Sequence, residues 1–536
     1  MEELSSHTLS LRNALDFCLS KLSLLAGTDI DVDDINKPQP YVVRMKSKLR
    51  AKRANLPDLQ QGLIKDAVDS VKALPTRRME ACKKFWEPVK SSTSHCDDDP
   101  LGGKNFSFPR CNLEESNTLE FKKQVIHRNI PCLIIGLDKS CFQRANECWR
   151  TYTNNGASGD ETTTSCGNIN IDWFLKNIPD YKVPVKQSPC SADNLDKYGR
   201  AQECSLRFPD CTMREWITQN HRLNSELYLK DWHLIKEWEE KNAKFRKNQQ
   251  NDVFATGEVA TLTDGATEVI GLYTVPPHFQ RDLLNRFLVR FTDDDYRFVY
   301  WGSSRSSTGL HSDVLNSFSW SYNVAGEKLW TFYPPSADFE YCDNDLENSI
   351  KVQVTQHGGE CIFVPAGWRH TVLNTKEAIS INHNWTSSCA LDCMWDCIQL
   401  EVKAVQNELR EWGIDDTVGF NEKELMLSGC VGMNVSSFFF MLLVESIELI
   451  EKLMGVDPVG LDNNELWEDC FSLCCISQIL EAVTGLDKTD RIYGIQTTRI
   501  DDFDERLSAT LSSRCLAKRA LATAAGVIQV IEEFTL

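Results

Sequence analysis

A chain of 536 residues, 42% hydrophobic and 25% charged, holds enough apolar material for one large core and at least one accessory unit. Its formal net charge of −19 excludes a general grip on nucleic acid, whose phosphates demand clustered cations, but suits a basic protein as partner. Twenty-one cysteines behind the acidic start Met1-Glu2-Glu3-Leu4, which has no apolar targeting core, read as reduced thiols of a cytoplasmic protein, with the nucleus as the alternative.

In chain order, residues 1–105 are helix-prone, as the apolar spacing from Leu9 to Leu19 shows, and they end in a polar, linker-like stretch from Ser91 to Gly103. The basic run Arg44 to Arg53 reads as a solvated helix face, the alternative being a nuclear-import or anion-binding patch. Residues 106–388 read as a mainly β catalytic core, a cupin-like jelly roll or double-stranded β-helix. Val125 to Leu137 is its expected entry strand, and alternating short strands run from Leu227 to Trp385. The polar stretch 241–264 interrupts this unit as an insertion, expected to be disordered.

Residues 389–536 turn helical, with apolar positions three and four apart from Phe438 to Met454, and their helices are a candidate homodimer surface. The apolar run Phe438 to Val444 stops at Glu445, short of the roughly 20 residues a membrane span needs, so no membrane partner is expected. Cys389, Cys393 and Cys397 recur every four residues; with no matching His/Cys pair beyond them, they read as core thiols, as do Cys470, Cys474 and Cys475.

The chemistry concentrates in four residues. Two histidines and a carboxylate can hold a non-haem Fe(II) while leaving one side of the metal open. His311 and Asp313 are two apart, the spacing that puts both side chains on one face of a strand. The third ligand, His370, comes from a distant strand beyond the turn at His357-Gly358-Gly359. The open positions would take a bidentate 2-oxo acid and O2, and the far carboxylate of such a co-substrate needs a cation. Lys328, on the apolar strand Lys328 to Tyr333, is costly to bury unless an anion pairs with it. Trp368, two residues before His370, and Trp320 are the expected walls of the mouth through which a substrate side chain enters.

These residues stand inside a longer likeness. Tyr296 to Asp313, Gly326-Glu327-Lys328-Leu329-Trp330 and Tyr333-Pro334-Pro335 resemble the JmjC family of Fe(II)- and 2-oxoglutarate-dependent oxygenases. Tyr228 to Leu234, Ser317 to Ser321 and Ile379 to Trp385 resemble a branch of that family that hydroxylates a lysine of the eukaryotic peptide-chain release factor and so supports translation termination. The resemblance implies that His311, Asp313 and His370 bind the iron and that Lys328 grips the distal carboxylate of 2-oxoglutarate. It places Thr308 and Tyr228 as hydroxyls assisting that grip. Asn382, with Asn384 as its competitor, falls on a polar residue near the metal. Ser321 departs from the pattern, standing where several relatives carry an asparagine that touches the metal-proximal carboxylate. The likeness does not extend to residues 1–105.

The expected function is therefore protein hydroxylation, with lysine C4 of the release factor as substrate and another protein as the alternative. A JmjC demethylase would share every metal residue, though no chromatin-reader or zinc-finger signature flanks the barrel. A non-catalytic cupin-like scaffold would have lost a ligand, and none is lost in this sequence.

Overall fold

The computed structural model describes residues 2–27, 39–86, 108–113, 117–151, 167–188, 211–240, 271–333, 351–455, 462–486 and 497–535. The expected linker Ser91 to Gly103 and the expected insertion 241–264 lie outside them.

Fourteen strands are described, of which the first six precede the barrel proper: β1 (Arg110–Asn112), β2 (Cys132–Ile135), β3 (Arg150–Thr151), β4 (Asn168–Ile169), β5 (Val185–Gln187) and β6 (Leu227–Trp232). The barrel is formed by β7 (Arg297–Gly302), β8 (Ser307–His311), β9 (Phe318–Ala325), β10 (Glu327–Tyr333), β11 (Val352–His357), β12 (Cys361–Val364), β13 (Arg369–Asn374) and β14 (Ala378–Trp385). One sheet runs β1-β2-β12-β9-β14-β7-β6-β5 and the facing sheet β11-β10-β13-β8, so β7 to β14 distribute themselves between two sheets as a jelly roll does. Every residue of β9 and β14 is buried. These central strands are covered on both faces, unlike β11, whose Val352 and Val354 point inward while Gln353 is exposed. The turn from β9 into β10 requires Gly326, at φ +91°, because a Cβ there would lie 2.0 Å from the Glu377 carbonyl oxygen.

Helices α1 (Glu2–Ala26), α2 (Pro40–Ala54) and α3 (Asp58–Phe85) open the chain. Helices α4 (Leu391–Glu411), α5 (Phe420–Val431), α6 (Val435–Gly455), α7 (Asn463–Thr484), α8 (Ile500–Thr510) and α9 (Arg514–Thr535) close it. The two groups form one body: α1 packs along α6, α3 along α7 and α2 along α9. A continuous apolar core reaches from Leu11 through the barrel to Phe534. Among the described residues no single helix is long and apolar enough to cross a membrane; α5 and α6 pass that test only as a pair, bent by 77°.

The basic run lies on α2, whose Tyr41, Val42, Met45 and Leu49 are buried. Lys48 donates to the Leu25 carbonyl at 2.7 Å and Arg50 pairs with Glu533 at 2.8 Å. Part of this charge thus neutralises the carbonyl end of α1 and a carboxylate of α9.

Val125 to Leu137 does not form one strand. Asn117 caps a helical turn, accepting from the Leu119 and Glu120 amides, and a π-helical turn follows over Lys122–Ile126. Asn129, at φ +55°, and Pro131 then reverse the chain, leaving only Cys132–Ile135 as strand. Its apolar content reflects a helix buried against α7 and a strand in tandem, which a run of hydrophobic residues does not separate.

Candidate active site

The facing sheets enclose a cavity of about 610 Å³ lined by residues of β6, β7, β8, β9, β10, β13 and β14. His311 and His370 are register partners across β8 and β13, with ring centroids 4.3 Å apart. The strand ends at His311, so Asp313 is not itself a strand residue. Its extended backbone, φ −63° and ψ 156°, nevertheless keeps the two-residue spacing that returns its carboxylate to the same side. The donor atoms of His311, Asp313 and His370 all lie within 4.8 Å of one another.

Each donor is oriented from behind. The His311 ring bonds the Gly309 carbonyl through Nδ1 at 2.8 Å, and the His370 ring bonds the Trp368 carbonyl through Nδ1 at 3.3 Å, which leaves both Nε2 atoms for a metal. Ser319 Oγ donates to Asp313 Oδ2 at 2.7 Å. Burial pushes the His311 imidazole down to about 3, reinforced by His370, and burial likewise lowers His370. Both rings are therefore neutral, the form in which imidazole coordinates. Trp330 and Phe332 flank the His370 ring at 5.5 and 5.8 Å.

Lys328 also lines the cavity, 1% exposed and donating to Ser380 Oγ at 2.5 Å. Burial lowers its ammonium to about 7, and among the described residues no carboxylate offsets the loss of water. Such a lysine fits a pocket that receives an anion. Thr308 on β8 and Tyr228 on β6 are buried and line the same cavity. Tyr228 reaches it because Gly302 stands opposite in register, where a Cβ would lie 2.8 Å from the tyrosine ring. Asn382 Nδ2 donates to Ser380 Oγ at 3.0 Å, on the Lys328 side, whereas Asn384 pairs in register with Ser319, the residue that holds Asp313. Both asparagines line the cavity. Ser321 lines it too, with a buried hydroxyl that has no hydrogen-bond partner among the described residues, so the departure from asparagine leaves a polar atom still unclaimed there.

The two expected mouth tryptophans lie elsewhere. Trp368 precedes β13 in a turn whose Gly367 has φ +74°, so the alternation of the strand does not extend back to it. Its ring is buried against Phe85 at 5.3 Å and Trp86 at 5.9 Å, beside the end of α3. Trp320 alternates with Ser319 and Ser321 and therefore faces away from the cavity, stacking on His383 at 4.2 Å. Sequence reasoning missed Ser319, Ser380 and Tyr300. The available signal was the period of two: Ser319 and Ser321, then Ser380, Asn382 and Asn384, form two polar rows on otherwise apolar strands.

A jelly roll carrying two histidines, a carboxylate and a buried lysine in one cavity defines a class, and comparison with known proteins agrees with it. The JmjC domain family, described as a hydroxylase domain, matches residues 342–385. The chain belongs to the JmjC family of 2-oxoglutarate- and iron-dependent oxygenases. It is similar to the 2-oxoglutarate and iron-dependent oxygenase JMJD4 of Homo sapiens, 31% identical over 70% of this chain and 84% of the relative. The protein of the same name from Mus musculus is 29% identical over 75% of this chain and 90% of the relative. The arginine-specific demethylase JMJ20 of Arabidopsis thaliana is 27% identical over 62% and 68% respectively. The family's cofactors are Fe(II), 2-oxoglutarate as co-substrate and O2.

Proposed function

We propose that this chain hydroxylates a protein lysine at C4, in the cytoplasm, and that its substrate is the eukaryotic peptide-chain release factor. The observation that supports the oxygenase chemistry is the joint occupancy of one cavity by the donors of His311, Asp313 and His370 and by the carboxylate-free, buried Lys328. Bound Fe(II) would supply O2 activation coupled to oxidative decarboxylation of 2-oxoglutarate, with one oxygen atom passing to a substrate C–H bond. In this reading His311, Asp313 and His370 hold the metal, and Lys328, assisted by Thr308 and Tyr228, holds the distal carboxylate of the co-substrate. Asn382 and Ser321 offer polar atoms between those two ends. The barrel walls, with Trp330 against His370, exclude water from the reacting centre.

The choice of release factor rests on the likeness of Tyr228 to Leu234, Ser317 to Ser321 and Ile379 to Trp385 to the branch that acts on it. Oxygen placed on a carbon not bonded to nitrogen leaves a stable alcohol, whereas the same attack on an N-methyl carbon ends in demethylation. The demethylase reading has support in the name of the Arabidopsis relative. Intact-mass analysis separates them. Incubated with enzyme, Fe(II) and 2-oxoglutarate, the release factor gains about 16 Da on one lysine, the mass of one oxygen. Loss of about 14 Da per methyl from methylated peptides, with no oxygen gain on the release factor, would establish the demethylase instead.

A further inference from the structure

The register between β6 and β7 breaks between Leu229 and Trp232. Within that break Asp231 adopts φ +59°, the left-handed region that disfavours a residue with a side chain. The break has a visible result: Lys230 and Asp231, consecutive residues that a regular strand would send to opposite faces, both line the catalytic cavity. Strained backbone of this kind persists where surrounding structure holds it, and it collects at ligand sites.

Asp231 is engaged by Tyr300, whose hydroxyl donates to Oδ1 at 2.8 Å, and by the ammonium of Lys186 on Oδ2. Lys186 stands on β5, the edge strand, opposite Tyr228 in register, and its side chain reaches into the cavity. Tyr296, just before β7, and Phe298 and Tyr300 on it all line the same space, with the Phe298 and Tyr300 rings nearly parallel at 6.2 Å. Aromatic faces beside a carboxylate suit a long aliphatic stem ending in a cation. In this structure the cations are the protein's own: Lys186 in direct contact with the carboxylate and Lys230 beside it.

We propose that Asp231 receives the cationic end of the substrate side chain and that Lys186 occupies this position until a substrate displaces it. The assignment rests on the reading that the substrate is a cationic protein side chain. It makes a prediction that a merely structural ion pair does not: removing the positive charge at Lys186 strengthens the binding of a positive ligand, because the carboxylate loses its direct partner while Lys230 stays beside it.

The test uses the full chain loaded with Mn(II) and 2-oxoglutarate, and a fluorescein-labelled peptide with a single lysine among neutral residues, compared with the same peptide acetylated at that lysine. Lys186→Met should tighten the lysine peptide about threefold or more and leave the acetylated one unaltered, the scale of a partly exposed charge pair. Asp231→Asn should weaken the lysine peptide by about fivefold and abolish the gain from Lys186→Met in the double variant. Should Asp231→Asn not fold, Lys186→Met alone decides. Weaker or unchanged binding of the lysine peptide by Lys186→Met would overturn the proposal. So would an equal gain from Lys236→Met, which removes a cation outside the cavity, paired with Asp293 at 3.1 Å. Failure of the hydroxylase reading shows separately, as wild-type enzyme that adds no oxygen to the release factor whatever the peptides do.

Discussion

Ser319 and Lys328 carry the residue-scale consequences. A carboxylate ligand that one hydroxyl holds among the described residues depends on it for direction, so Ser319→Ala, which removes the 2.7 Å bond to Asp313, should weaken Fe(II) or Mn(II) binding by about 10- to 100-fold while the fold persists. Metal titration followed by calorimetry or electron paramagnetic resonance reads this directly. Lys328 makes co-substrate binding a proton-linked event. Burial lowers its ammonium from the ordinary 10.5 to about 7, and a carboxylate arriving beside it raises it again. Above about pH 7 the empty site holds mostly neutral lysine, so 2-oxoglutarate binding must take up a proton there and weaken as pH rises, by at most about tenfold per unit. The same shift acts on the ligand-free fold with a definite sign. Between about 7 and 10.5 the unfolded chain holds the extra proton, so this group's burial penalty is full below that window and fades as pH climbs through it. Calorimetry at pH 8 in buffers of different ionisation enthalpy should show proton uptake for the wild type, and Lys328→Met should bind weakly and without that uptake.

At the scale of elements, the positions of His311, His370 and Lys328 were legible because each follows from strand alternation on apolar segments, and β8, β10 and β13 form where that pattern places them. Asp313 kept its spacing although its strand ends two residues earlier, since extended backbone alone suffices. What stayed illegible depended on neighbours remote in sequence. Trp368 sits two residues from a ligand, but the turn at Gly367 redirects it to Phe85 and Trp86 at the end of α3, a contact that no local period encodes. The break that turns Asp231 into the cavity is similarly invisible, because it arises in the pairing of β6 with β7. The tryptophan's true place has a measurable consequence. Trp368→Ala should cost about 3–5 kcal/mol in denaturant unfolding, as removal of a buried aromatic does. Retained stability, combined with selective loss of affinity for a lysine peptide, would return this ring to the mouth.

For the whole molecule, the notable feature is that α1, α2 and α3 close a helical body whose other members come from the far end of the chain, and that the end of α3 also covers the sheet bearing His370. The barrel's metal-side sheet is thus buttressed by the end of α3, through Cys82, Phe85 and Trp86. One cavity is expected to hold both the metal and the co-substrate, with the buried Lys328 on the latter's distal carboxylate. Diffraction from crystals grown anaerobically with Fe(II) and 2-oxoglutarate, recorded at the iron edge, tests it most directly. The expected result is one anomalous peak bonded to His311, Asp313 and His370, with the distal carboxylate of 2-oxoglutarate on Lys328. A peak held by other residues, or a co-substrate whose distal carboxylate lies away from Lys328, would contradict it.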